Sequence, residues 1–316
     1  MTGATTLPDP VRTWAESVIG PLICLRDTSA AHSSRVWEVT TRPENGRRTT
    51  TRPDRDNGQR FCVKLAASPL AFTRETFAHR HAVSYLGPGR APRLTATSAQ
   101  HLALLMTALP GIPLSDLRTT GPALETAHRK AGALVAQLHQ AGKLTPAARE
   151  EAAQALRRTA DSAERSVHAA GDRMPPAERE FVLARAAELG TVGRVPLGYI
   201  HGHVDEHTLR WSGTREPLAL IGFERARFAP VVQDFVPLAR GPWAGQPRLR
   251  TAFFTGYGRH LIPEEKRALC CLTALHTVGG RAASTGAAGG GCRMTDPEHH
   301  MPERQLTPRR AEGAAR

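Results

Sequence analysis

The sequence is poor in cysteine and in aromatic side chains. Five cysteines in 316 residues (Cys24, Cys62, Cys270, Cys271 and Cys292) are too few and too irregularly spaced for a disulfide framework. No Cys-x-x-Cys pair occurs, which excludes a thiolate zinc site of that type. Aromatic residues make up only 5% of the chain. A long apolar run is also missing: the longest stretch, Leu102 to Leu114, is broken by Pro110 and Pro113 and cannot span a bilayer. Met1 to Pro10 carries no basic-then-apolar leader. The expectation is a cytoplasmic protein with no membrane partner.

What is present is enough for a folded core. Apolar residues reach 40% and charged residues 22%, and the length suits two unequal lobes. Lys plus Arg number 42 against 29 Asp plus Glu, a formal charge of +13. That excess favours anionic partners such as nucleotides, RNA or a lipid surface, and it carries no information about fold. Arg and Ala run high along the whole chain, so the charge is in part compositional, and nucleic acid is not expected as the main partner.

Asp9-Pro10 starts a short helix that Gly20 stops. Strand-like runs follow at Leu22–Leu25, Arg35–Thr40 and Phe61–Leu65. Between the last two lies a polar, Arg-rich hairpin insertion over 41–60, read as an exposed loop. Ser68-Pro69 opens a helix reaching about Tyr85, and two more strands fit Pro92–Ala96 and His101–Met106. Residues 122–190 have helical spacing. A β-rich patch follows at Leu197–Ile200, Thr208–Trp211 and Leu218–Ile221, then helices at Arg248–Tyr257 and Pro263–Val278. The tail, 281–316, lacks periodicity and is read as disordered. The layout is α+β: a small lobe over 1–108, then a mainly helical lobe over 109–280. No internal repeat is visible.

The candidate chemistry is weak residue by residue. Lys64 ends an apolar strand and Glu75 sits on the next helix. Two surface charges would explain them, as would a strand lysine that holds nucleotide phosphates and is positioned by a helix carboxylate. His201, His203, Asp205 and His207 alternate. The spacing is one residue off the metallo-β-lactamase pattern, whereas imidazole plus carboxylate from His203, Asp205 and His207 would suit zinc. A polar surface loop is the plainer alternative. His139 reads as a packed helix histidine, and His299-His300 as a solvated terminus.

The order of parts carries more. Lys64 and Glu75 are followed by Met106-Thr107-Ala108-Leu109-Pro110-Gly111, Leu138-His139, Tyr199-Ile200-His201-Gly202, and Leu220-Ile221-Gly222-Phe223-Glu224. Pro230 to Phe235 and Phe254 to Arg259 fit the same pattern. Over roughly residues 10–280 this resembles the aminoglycoside phosphotransferase family, the small-molecule branch of the kinase-like fold. The resemblance implies a two-lobed, protein-kinase-like architecture. It implies ATP as nucleotide, held by Lys64, Glu75 and backbone groups of Thr107 to Leu109, and an Asp234 that holds the catalytic-loop backbone.

The departures from that pattern fall on the chemistry. The family's catalytic Asp position is His203, its metal-binding Asn position is Thr208, and its second metal ligand, an Asp, is Gly222. Magnesium needs hard oxygen ligands in an octahedron, usually with one or two carboxylates. Gly222 has no side chain and Thr208 a neutral hydroxyl, leaving Asp205 and Glu206 as conceivable substitutes. Phosphoryl transfer depends on positioning and metal electrostatics, and a general base alone contributes only about 10²–10⁴ in rate. The expectation is therefore a pseudokinase that binds a nucleotide, small molecule, or protein or peptide partner, with ATP held weakly and magnesium not retained. The rival expectation is an active ATP-dependent phosphotransferase acting on a hydroxyl with a rewired loop. RNA binding through the basic surface is a third class.

Overall fold

The computed structural model describes residues 6–28, 34–41, 59–118 and 121–282. Most of the 41–60 insertion, and the tail from 283 onward, lie outside the described residues. Helix α1 (Asp9–Ile19) starts after Pro8 with Pro10 in its first turn, where a missing N–H costs nothing. Strands β1 (Leu22–Asp27), β2 (Arg35–Thr41) and β3 (Arg60–Leu65) then form consecutive antiparallel pairs. With β4 (Leu94–Ser98) and β5 (Ala103–Thr107) they make a five-stranded antiparallel sheet ordered β1-β2-β3-β5-β4. Trp37, Val39, Phe61, Val63, Ala103 and Leu105 pack from this sheet against Val11 and Ala15 of α1.

Helix α2 (Pro69–His81) crosses between β3 and β4. Ser68 caps it, its Oγ accepting the Ala71 N–H at 3.2 Å. The sequence spacing predicts a helix to Tyr85, whereas α2 ends at His81 and a 3₁₀ turn covers Val83–Leu86. The tighter winding, with Tyr85 N–H on Ala82 O, places Leu86 in the core at 1% exposure. Ala78, Ala82, Leu86 and Ala91 all belong to the core of the helical part, so packing continues across residue 108.

The helical part contains α3 (Pro122–His139), α4 (Pro146–Ala153), α5 (Ala155–Ala170), α6 (Pro176–Gly190), α7 (Val236–Arg240), α8 (Pro242–Gly245), α9 (Pro247–Tyr257) and α10 (Pro263–Ala282). Helices α3 and α9 meet at glycines: a Cβ on Gly132 would overlap the Phe253 carbonyl, and one on Gly256 the Arg129 carbonyl. The scarce aromatics are concentrated beside this crossing. The Phe235 ring lies 5.3–6.5 Å from those of Trp243, Phe253, Phe254 and Tyr257.

Two small sheets complete this part; one of their strands precedes α3 and the other four fall between α6 and α7 in chain order. One is β7 (Leu197–Ile200) paired with β10 (Arg227–Pro230). The other is β6 (Ile112–Pro113), β8 (Leu209–Trp211) and β9 (Ala219–Leu220), ordered β6-β8-β9. Their loops, 201–208 and 221–226, are held side by side by Ile221 N–H on Thr208 O at 3.0 Å. Among the described residues no helix is long and apolar enough to cross a membrane.

Candidate functional site

Strand alternation aims the lysine. Phe61 and Val63 point into the sheet-lobe core, so Lys64 points to the opposite face, toward α2. Its ammonium lies 2.7 Å from Glu75 Oε2 and 2.9 Å from Oε1, the ion pair expected from the strand-then-helix order. A second carboxylate also reaches it: Glu224 Oε2, 160 residues further along, is 2.6 Å from Lys64 Nζ. Glu75 Oε1 also accepts the Phe223 N–H at 3.3 Å. Lys64 is 5% exposed and Glu75 1%. One cation and two carboxylates thus share a nearly dry space.

Burial, with the Glu224 charge, pushes the Glu75 carboxyl above its usual range. Burial opposes ionisation of Glu224 as well, but the Lys64 charge and hydrogen bond outweigh it and hold Glu224 at about 2. Burial alone would lower Lys64; the two carboxylates together raise it above its ordinary value. Nothing local in the sequence marks Glu224 as a partner of Lys64. The signal available is indirect: with glycine at 222, no other carboxylate in that string faces the lysine.

The loop after β7 is fastened from below. Asp234 accepts the His201 N–H at 2.8 Å and the Gly202 N–H at 2.6 Å, the backbone-holding role expected of it. Asp234 Oδ2 also meets His139 Nε2 at 3.0 Å, and His139 Nδ1 meets the Tyr257 hydroxyl at 2.8 Å. His139 is packed in the core as expected, and it also links Asp234 to α9. His201 Nε2 donates to Ile221 O at 3.0 Å, and burial lowers its pKa.

The polar side chains within the loop are spent largely on one another. His203 Nε2 lies 3.1 Å from Asp205 Oδ2, and His203 Nδ1 faces Arg225 Nη1 at 3.5 Å. Asp205 Oδ1 accepts the N–H groups of His207 at 3.0 Å and Thr208 at 2.8 Å. The Thr208 hydroxyl accepts the Asp205 N–H at 3.0 Å and turns back on Asp205 O at 3.0 Å. Its methyl carbon Cγ2 is what faces Gly222, 4.0 Å from where a Cβ there would stand. Glu206 Oε1 lies 3.9 Å from the buried His128 Nε2, and His207 Nδ1 meets Ser115 Oγ at 3.0 Å. Of the three side chains that would suit zinc, His203 and Asp205 stay together while His207 turns away to Ser115.

A divalent cation does not fit this donor set. Gly222 offers no ligand, Thr208 presents a methyl, Asp205 is saturated by two N–H groups and an imidazole, and Glu224 is held by Lys64. Among the described residues no group of three or more His, Cys, Asp or Glu side chains is arranged to hold a metal ion.

At the other wall, Thr107 N–H donates to Arg93 O at 2.9 Å, its Oγ1 accepts the Arg93 N–H at 2.9 Å, and Ala108 N–H donates to Arg60 O at 3.1 Å. Leu109 follows, and its N–H meets no acceptor among the described residues.

Asp205 gives the loop a pH signature. Burial raises its pKa, but hydrogen bonds from His203 and Thr208 outweigh burial and hold it at about 2, against 3.8 ordinarily. A depressed folded-state pKa contributes stability that is complete above about 4 and lost as pH falls toward 2. Asp205→Ala is expected to lower stability at pH 7 by about 1 kcal/mol after solvent screening. Thermal midpoints of the two proteins should converge as pH is lowered from 4 to 2, and a constant gap would contradict this.

Comparison with known proteins places the chain's fold and family. The sequence pattern of the phosphotransferase enzyme family (APH) matches residues 33–269, well over half of the chain. No curated protein sequence matches. Among solved structures, macrolide 2'-phosphotransferase MphH from Brachybacterium faecium superposes with a TM-score of 0.59 at 19% identity, covering 88% of this chain and 93% of that one. The streptomycin–ATP ternary complex of APH(2")-IIa gives 0.61 at 10% identity, covering 90% and 93%. APH(3'')-Id from Streptomyces rimosus gives 0.52 at 19%, covering 84% and 96%. These likenesses establish the α+β, kinase-like fold, and with the sequence match they show that the chain belongs to the phosphotransferase enzyme family.

Proposed function

We propose that this chain is a pseudokinase: a phosphotransferase fold that binds a ligand and transfers no phosphoryl group. The observation that carries the reading is the Lys64–Glu224 contact of 2.6 Å. A lysine that is to hold phosphates must offer them its ammonium. Here that ammonium already has two carboxylates, and a phosphate chain brought beside them meets net negative charge. The absence of fitting metal ligands removes the usual remedy for that repulsion.

The rival reading, an active enzyme with His203 as base, draws on the His203–Asp205 contact of 3.1 Å. With Nε2 donating to Asp205, the free lone pair is on Nδ1, which faces the Arg225 guanidinium at 3.5 Å. An acceptor hydroxyl would have to compete with that cation.

The ligand is read as a nucleotide or small molecule. Neighbouring structures bear on this, among them spectinomycin phosphotransferase with ADP and spectinomycin bound. ATP would be held weakly and without magnesium, and the protein is read as cytoplasmic. The test is ADP release by the full chain with several divalent metals and a panel of hydroxyl acceptors. No turnover above background is expected. Robust turnover abolished by His203→Ala would establish His203 as a working base and overturn the reading.

The triple variant His203→Asp, Thr208→Asn, Gly222→Asp supplies the missing ligands. Gly222 has φ +82°, a region Asp tolerates at a cost of about 1–2 kcal/mol, and its Cβ would stand 3.4 Å from Glu224 Oε2. The triple variant is expected to melt below wild type without metal and to be rescued by magnesium, which leaves wild type unmoved. Single reversions should do little, because the parts act as a unit.

A further inference from the structure

The scarce aromatic side chains form a second group, apart from the Lys64 site. Phe77 and His81 stand one turn apart on α2, with their rings 4.5 Å from each other. Tyr199 of β7 pairs in register with Phe228 of β10. Its ring lies 5.1 Å from that of Phe228 and 6.2 Å from that of Phe77. Tyr85, on the 3₁₀ turn after α2, and Gly142 and Lys143, after α3, complete the walls of a cavity of about 250 Å³. Gly142 has φ +74°, and a Cβ there would stand 3.3 Å from Phe228 Cζ, so glycine is what lets this loop close on the rings.

Three features of this cavity point to a ligand. Phe77 is 46% exposed and Tyr85 57%, so two large rings at its edge are left facing solvent. Tyr199 is the opposite case: it is 2% exposed, and its hydroxyl meets no hydrogen-bond partner among the described residues. Burial pushes its pKa up, so the hydroxyl keeps its proton and remains a donor, one that is costly to bury until an acceptor reaches it. Lys143 is exposed and has no carboxylate within ion-pair distance among the described residues. No acidic side chain lines the cavity among those residues either.

We propose that this cavity binds a small hydroxylated aromatic acid, with its ring against Phe77, Tyr85 and Phe228, its carboxylate on the Lys143 ammonium and its hydroxyl oxygen accepting from Tyr199. Apolar walls with a few polar groups that fix orientation are the ordinary make-up of a small-molecule site, and ring-on-ring contact favours a flat ligand. A volume of about 250 Å³ corresponds to about eight waters by their share of the liquid. That is room for one ring or two fused rings, and a nucleoside triphosphate is too large. An aromatic cation would find the same rings, but Lys143 would repel it. The inference is independent of the pseudokinase reading, which uses none of the residues lining this cavity.

The test is calorimetry on the full chain, with para-hydroxybenzoate and a hydroxynaphthoate as probes and tyramine as a similar ring of opposite charge. Saturable binding of at least one acid is expected, and none of tyramine. Tyr199→Phe keeps the ring and removes a hydroxyl that has no partner, so it should fold at least as well as wild type. It is expected to weaken acid binding about tenfold, and Lys143→Met about threefold. Phe181→Ala, which removes an exposed ring outside the cavity, should leave binding unchanged, as should saturating ATP. Absence of saturable binding of both acids, equal binding of tyramine, full affinity in Tyr199→Phe and Lys143→Met, or displacement of the acid by ATP would each overturn the proposal.

Discussion

Asp234→Ala is expected to destabilise the protein by about 3–5 kcal/mol, the range for removing one partner from a buried charged network. Its carboxylate is fully buried and accepts the N–H groups of His201 and Gly202 while meeting His139 Nε2 at 3.0 Å. Truncation leaves two backbone donors and an imidazole buried with no acceptor, and water cannot reach them. Burial raises the Asp234 pKa, but the His139 hydrogen bond and charge, with those of His201, hold it below its ordinary value. Asp234→Asn keeps an acceptor but loses the charge, so it should fall between wild type and alanine. Urea denaturation of the three proteins gives the comparison. A loss below about 1 kcal/mol for alanine would mean that the loop is held by something other than Asp234.

Lys64→Met should cost a similar amount for the opposite reason. The methionine fits the lysine's volume but leaves Glu75 and Glu224 facing each other across a nearly dry space without a cation. A loss of about 3–5 kcal/mol at pH 7 is expected. The sign of the pH dependence follows from the shifts. In wild type Glu224 is held at about 2, so its contribution is complete above about 4.5 and lost as pH falls toward 2. In the variant both carboxyls are raised, and protonating them relieves the repulsion. The gap between the proteins should therefore be widest at high pH, where both carboxyls are ionised, and narrow as pH falls. A gap independent of pH would show that the two carboxylates are not coupled through Lys64.

Much of the frame was legible because it rests on local chemistry. Asp9-Pro10 and Ser68-Pro69 mark helix starts at the right residues, since caps and first-turn prolines act within one turn. With Phe61 and Val63 on the core face, the two-residue period of a strand is enough to turn Lys64 away from that core. Strand β10 was not legible: Arg-Phe-Ala-Pro shows no alternation, and its pairing with β7 is set by the loops on either side. Nor does local pattern distinguish Gly132 and Gly256, where α3 and α9 touch, from any helical glycine.

The site divides the same way. Lys64 with Glu75 follows from a strand and the helix after it. The Glu224 contact with Lys64 spans 160 residues, and only the folded chain shows that the carboxylate turns inward. The same holds for Asp205: its saturation by His207, Thr208 and His203 is a property of the loop's closure on itself.

On the reading proposed above, the protein's own Glu224 carboxylate sits where phosphates would be held. The most direct test is a calorimetric titration of ATP into wild type and Glu224→Ala, each with excess magnesium and with a chelator. Wild type is expected to bind weakly and equally in both conditions, and Glu224→Ala to bind about tenfold more tightly, a gain of about 1.4 kcal/mol. Tight, magnesium-dependent binding by wild type, or no gain in Glu224→Ala, would contradict the account.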